Sequence, residues 1–63
     1  MDTYAKKIKT WREMAQLTQR QFAERADVHL NTVIRVEGGK NVTVQQLAKF
    51  AKVMGMSLSE LVA

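Results

Sequence analysis

Residues 18–37 decide the fold, and they read TQRQFAERADVHLNTVIRVE. The stretch holds two short amphipathic segments joined by a tight turn at residues 27–29. Thr18 followed three residues later by Gln21 is a capping box, in which each side chain satisfies a backbone N–H at the start of a helix. Gly38-Gly39 ends the second segment. So short a connection holds two helices at a steep angle, and the stretch therefore predicts a helix-turn-helix.

Each of the two segments has one apolar face. Ala23 and Ala26 allow the helices to cross closely, because their side chains are small. The larger residues expected to close a core at the crossing are Phe22, Val28, Val33 and Val36. If Val33 and Val36 point inward, the 100° step of a helix determines which residues lie on the opposite face of the second segment. That face carries Leu30, Asn31, Ile34 and Arg35.

The flanking sequence predicts three further helices. Upstream, a helix is expected from about Thr3 to Ala15, with Arg12 at the edge of its apolar stripe. The stripe itself consists of Tyr4, Ile8, Trp11 and Ala15. Downstream, capping boxes at residues 43–46 and 57–60 start a fourth and a fifth helix. On the fourth helix the residues expected to face inward are Val44, Leu47, Ala51 and Met54, with Phe50 at the margin. The predicted fold class is all-α, with five short helices in a single domain over residues 1–63.

Composition limits the chemistry that this chain can perform. It has no cysteine, and His29 is its only histidine. Without a nucleophile–base pair or a set of metal ligands, we expect no enzymatic activity, no metal and no cofactor. No apolar run approaches the roughly 20 residues that span a bilayer, and the N-terminus lacks the apolar stretch of a secretory signal. We therefore expect a cytoplasmic protein without a membrane partner.

The charge of the chain suggests a class of partner. The formal net charge is +4, which favours an anionic partner such as nucleic acid. Taken alone this signal is weak, because many basic proteins are simply soluble.

The order and spacing of many residues resemble the Cro and phage-repressor helix-turn-helix family, from about Ile8 to Val62. In the first half the matching residues are Leu17-Thr18-Gln19, Phe22-Ala23, Val28, Val33, Val36-Glu37 and Gly39. In the second half they are Leu47, Ala51-Lys52, Gly55, Ser57-Leu58 and Glu60-Leu61. The resemblance implies a five-helix fold whose third helix enters the DNA major groove. It also implies a transcriptional regulator, with repression as its expected action.

Two positions depart from the family pattern. Asp27 stands where the family often has glycine, but aspartate tolerates a left-handed backbone better than most residues, so we expect the same turn. His29 stands where the family prefers serine or threonine as an N-cap. Histidine caps poorly, so the third helix is expected to begin at His29 or Leu30, with a start that frays or shifts by one residue.

The exposed face of the third helix carries groups that recognise base edges. Asn31 matches the donor and acceptor of adenine, and Arg35 matches the two acceptors of guanine. Leu30 and Ile34 would then pack on thymine methyl groups. Two alternatives remain for this aliphatic pair: a protein partner, or scattered surface apolar residues with no role.

The resemblance also implies contacts with the DNA backbone. Gln19 matches a phosphate-binding glutamine at the start of the second helix, where free N–H groups and the helix dipole favour an anion. Thr32 would add one contact on the third helix. Just past that helix two more matches follow, Lys40 and Asn41. Arg12 and Glu37 match a pair that forms a salt bridge in related repressors, and we expect Arg12 to bridge Glu37 while facing a phosphate.

A module this small should bind one half-site weakly, so we expect a homodimer on a roughly palindromic operator of double-stranded DNA. Two-fold symmetry would place the recognition helices about 34 Å apart. The surface expected to form the dimer contains Val53, Met56, Leu58 and Val62. No small-molecule ligand is expected. Related alternatives are a restriction–modification controller and an antitoxin, and an alternative of another class is a protein-interaction module that uses Leu30 and Ile34.

Overall fold

The computed structural model describes residues 3–63 of the chain. Five helices follow one another, and no strand occurs within that range. Their bounds are α1 Thr3–Met14, α2 Gln19–Ala26, α3 Leu30–Glu37, α4 Val44–Met54 and α5 Leu58–Val62. The predicted all-α fold is thus confirmed. Helix α2 packs against both α3 and α4, and α1 packs against α3 and α5.

Capping boxes start three of the five helices, as the sequence predicted. At the start of α2 the Thr18 hydroxyl accepts the Gln21 N–H at 3.0 Å, and the Gln21 side chain accepts the Thr18 N–H at 2.9 Å. The same reciprocal pairs start α4 and α5, at Thr43–Gln46 and Ser57–Glu60. Each N-cap contributes about 1 kcal/mol, so local signals determine where these short helices begin.

The turn between α2 and α3 has the backbone that its sequence predicted. Asp27 adopts a left-handed conformation, with φ 57° and ψ 48°. Its N–H donates to the Glu24 carbonyl at 3.2 Å, and the Val28 N–H donates to the Ala23 carbonyl at 3.0 Å, which is the Schellman pattern for the end of a helix. The His29 side chain makes no capping hydrogen bond, and α3 begins at Leu30.

The core is built around two stacked phenylalanines. The rings of Phe22 on α2 and Phe50 on α4 lie 5.4 Å apart and nearly parallel, and Trp11 on α1 contacts Phe22 at 5.9 Å between centroids. The fully buried large side chains are Phe22, Phe50, Ile8, Leu61, Val33 and Val36. Trp11 is half-buried against this cluster, as expected of a core residue.

Two details of the predicted core are wrong. Val44 is 65% exposed, whereas Phe50 is fully buried, the reverse of the expectation. Measured from Leu47, both residues lie about 60° around the helix, on opposite sides, so periodicity cannot choose between them. Phe50 is the buried residue of the two because its ring stacks on Phe22. Ala15 is exposed as well, since α1 ends at Met14 and Ala15 lies in the turn that follows.

The capping box of α5 gives that helix a dependence on pH. The Glu60 carboxylate accepts the Ser57 N–H at 2.8 Å, and this backbone hydrogen bond lowers the pKa of Glu60 below its usual value. The cap is therefore fully formed above the unfolded-state pKa, about 4.3, and is lost as pH falls through the lowered value. We expect the protection factors of the α5 amide protons, which are corrected for the intrinsic pH dependence of exchange, to fall on acidification. Glu60→Gln keeps the capping box without a titrating group, so a variant that responds to acid like the wild type would contradict this prediction.

Candidate nucleic-acid interface

Helix α3 divides into a buried side and an exposed side. Val33 and Val36 are fully buried against α1 and α2. Three of the four residues predicted to contact bases are exposed, Asn31, Ile34 and Arg35, and the fourth, Leu30, is half-buried. Because α1 and α2 cover the opposite side, the face with amide, guanidinium and aliphatic groups is open to a large partner.

Thr32 is the exception among the residues predicted to contact DNA. It is only 8% exposed, because four residues separate it from Val36 and residues at that spacing lie on the same side of a helix. The burial of Thr32 does not support the predicted phosphate contact. The exposed face of α3 consists instead of the neighbouring side chains of Asn31, Ile34 and Arg35.

An ion pair joins α1 to the end of α3. The Arg12 Nε donates to Glu37 Oε2 at 2.6 Å, and the Arg12 Nη2 donates to Glu37 Oε1 at 3.0 Å. Only 12% of the Arg12 side chain and 5% of the Glu37 side chain are exposed. The hydrogen bond with Glu37 raises the pKa of Arg12 above its ordinary value, against the opposing effect of burial. A bidentate pair of this kind fixes orientation as well as distance, so it sets the position of α3 relative to α1.

Two further hydrogen bonds extend the ion pair to the start of α2. The Arg12 Nη1 donates to the Leu17 carbonyl at 2.8 Å, and the Gln19 Nε2 donates to Glu37 Oε1 at 3.2 Å. An amide nitrogen carries two hydrogens, so Gln19 can bind Glu37 and still donate to a second acceptor. The contact between Gln19 and Glu37 was not predicted, because 18 residues separate the two side chains and no spacing rule connects them.

The segment after α3 turns sharply and folds back on the helix. Gly39 has a φ of 79°, its N–H donates to the Val36 carbonyl at 3.2 Å, and the Lys40 N–H donates to the Arg35 carbonyl at 2.9 Å. This Schellman turn leaves Lys40 and Asn41 exposed. The Arg35 Nη2 donates to the Asn41 carbonyl at 3.0 Å, a contact that no sequence pattern indicates.

Comparison with known protein families identifies the motif. A family model described as Helix-turn-helix (HTH_3) matches residues 8–61. The chain belongs to the Cro/C1-type helix-turn-helix family. No individual curated protein matches it. The family is one of DNA-binding regulators that are typically not enzymes, and this member is accordingly a DNA-binding transcriptional regulator.

The surface predicted to form the dimer lies at the end of α4 and on α5 of this helix-turn-helix protein. Val53, Met56 and Leu58 are half-buried against the core, and Val62 is 43% exposed. The Lys7 ammonium on α1 donates to the carbonyls of Glu60 and Ala63 at 3.0 Å each, which ties α5 to the rest of the fold. None of the described helices is long and apolar enough to cross a membrane.

Proposed function

We propose that this protein is a repressor that binds a roughly palindromic operator as a homodimer and reads the major groove with α3. The observation that carries the proposal is the exposed face of α3, which presents Asn31, Ile34 and Arg35 while Val33 and Val36 hold the helix on the core. Asn31 pairs with an adenine and Arg35 with a guanine. Leu30 and Ile34 pack on thymine methyl groups. Occupancy of the operator is sufficient for repression, because it excludes other proteins from the same base pairs.

In this proposal, contacts with the DNA phosphates hold α3 in the major groove. Gln19 donates to a phosphate from the start of α2, and Lys40 and Asn41 bind a second phosphate from the turn after α3. Arg12 faces a phosphate with the N–H groups that its bonds to Glu37 and Leu17 leave free. These contacts carry no sequence information, but they fix the register in which Arg35 meets its base.

Dimer formation supplies the affinity that one half-site cannot. We propose that two copies meet through Val53, Met56, Leu58 and Val62, around a two-fold axis. The exposed apolar side chain of Val62 and the attachment of α5 through Lys7 support this choice. Two recognition helices about 34 Å apart then contact half-sites one helical turn apart.

Selection from a random pool of DNA duplexes tests the reading of bases. We expect the wild type to enrich an inverted repeat, Asn31→Ala to relax it at one adenine, and Arg35→Ala to relax it at one guanine. Each lost bidentate contact should cost about 1–3 kcal/mol of discrimination. Arg25→Ala is the matched control, because Arg25 is also an exposed arginine but belongs to α2.

Two results would contradict the proposal. If no sequence is enriched, or if Asn31→Ala and Arg35→Ala select the wild-type repeat, α3 does not read bases. Sedimentation with the selected duplex tests the dimer, for which we expect two copies per operator. A monomer both free and on the operator would leave DNA binding intact and exclude the dimer.

A further inference from the structure

The side chain of Arg35 is bound to the segment that follows its own helix. The Arg35 Nη2 donates to the Asn41 carbonyl at 3.0 Å. Both residues are exposed, so this contact is not imposed by burial in the core, and base reading alone does not require it.

The turn after α3 brings the acceptor to Arg35. The left-handed Gly39 reverses the chain, and the Lys40 N–H then bonds the Arg35 carbonyl at 2.9 Å. The backbone of Arg35 and its guanidinium are therefore both bonded to the same short segment, residues 40–41. That segment is also the one proposed to bind a phosphate.

The hydrogen bond leaves Arg35 able to recognise a base. A guanidinium carries five N–H donors in a plane, and the Asn41 carbonyl takes one of them. Guanine needs two donors side by side, which remain available on the same group. A guanidinium held in one plane loses less rotational freedom on binding, and this preorganisation favours the base that matches it.

We propose that the Asn41 carbonyl is a positioning group that orients Arg35 for guanine. This inference rests on the proposed function, in which Arg35 reads a base. It makes the segment after α3 a determinant of sequence selectivity as well as a phosphate contact. A protein whose segment 40–41 is seated on its phosphate presents Arg35 at the correct angle, so backbone docking and base reading reinforce each other.

Replacing one backbone N–H by oxygen tests the role of the Asn41 carbonyl as a hydrogen-bond acceptor. In a chemically synthesised full-length chain, replacing Val42 by the corresponding α-hydroxy acid turns the Asn41 carbonyl into an ester carbonyl, which is a weaker hydrogen-bond acceptor. The Val42 N–H makes no backbone hydrogen bond among the described residues, so its removal costs little stability. We expect selectivity for guanine over adenine at the position of Arg35 to fall about two- to tenfold.

The matched control is an ester one residue earlier, made by replacing Asn41 with its α-hydroxy analogue. That change weakens the Lys40 carbonyl, which accepts no hydrogen bond among the described residues, and leaves the carbonyl of residue 41 an amide. Both ester chains should give the helical circular dichroism of the wild type. Because the control ester removes an N–H from the segment proposed to bind a phosphate, its affinity for all duplexes is expected to fall. The inference requires that selectivity for guanine falls further in the Val42 ester than in this control.

The Arg35→Ala variant separates the two ways in which the inference can fail. If Arg35→Ala relaxes one guanine but the ester at Val42 does not differ from its control, Arg35 reads the base without help from Asn41 and the inference is overturned. If Arg35→Ala changes no position, the proposed base contact fails and the inference fails with it. The positioning role would be established if the Val42 ester lowers selectivity for guanine in the wild-type chain but has no further effect on selectivity in the Arg35→Ala chain.

Discussion

Replacing Arg12 with methionine is expected to cost about 3–5 kcal/mol of folding free energy, the usual result of removing one partner from a buried ion pair. The Glu37 carboxylate would remain almost inaccessible to solvent and would keep only its 3.2 Å hydrogen bond from Gln19. A domain of this size buries a small core and is marginally stable. The variant should therefore keep only a small part of the wild-type stability at 25 °C.

Urea denaturation followed by circular dichroism measures this loss, and two variants make it specific. Arg25→Met removes an exposed arginine from α2 and should change stability by less than about 0.5 kcal/mol. Arg12→Met combined with Glu37→Leu should recover much of the loss, because apolar residues can replace a buried ion pair at little cost. A double variant whose loss equals the sum of the two single losses would show that Arg12 and Glu37 are not coupled.

The starts of α2, α4 and α5 could be predicted from the sequence because their causes are local. Thr18 and Gln21 determine the start of α2 through contacts three residues apart, and the same holds at Thr43 and Ser57. The left-handed turn at Asp27 also follows from a property of one residue type. These signals needed no knowledge of which helix packs on which.

Features that depend on packing between helices could not be predicted in this way. Val44 and Phe50 lie symmetrically about the apolar stripe of α4, and only the stacking of Phe50 on Phe22 decides which is buried. The burial of Thr32 could have been predicted, because its spacing to Val36 places both residues on the same side of α3.

The candidate site was predictable only in part, since its contacts join residues distant in the chain. The pairing of Arg12 with Glu37 came from resemblance to a family, because 25 residues separate them and composition gives no reason to pair them. The bonds from Gln19 to Glu37 and from Arg35 to Asn41 had no sequence signal. Both depend on where a turn places an acceptor, which is a property of the folded backbone.

The affinity for the operator is expected to fall about 100-fold when salt is raised from 50 to 200 mM. The proposed phosphate contacts include two cations in each protomer, Arg12 and Lys40, so a dimer brings about four to the DNA and releases a matching number of counterions. Fluorescence anisotropy with the selected duplex measures the slope. An antitoxin or interaction module that binds a protein through Leu30 and Ile34 would show little salt dependence in that contact, because apolar burial releases no counterions.

Lys40→Ala tests the origin of that slope. Removing Lys40 from both protomers should reduce the loss between 50 and 200 mM salt to about tenfold, while the selected sequence stays the same because phosphate contacts carry no base information. Lys52→Ala is the control, because it changes the net charge by the same amount. Lys52 lies on α4, beside a surface pocket of the protein between α2 and α4, so the Lys52→Ala variant should keep the wild-type slope. If the two variants lowered the slope alike, the attraction would come from overall charge rather than from a contact at Lys40, and the turn after α3 would lose its proposed place on the DNA backbone.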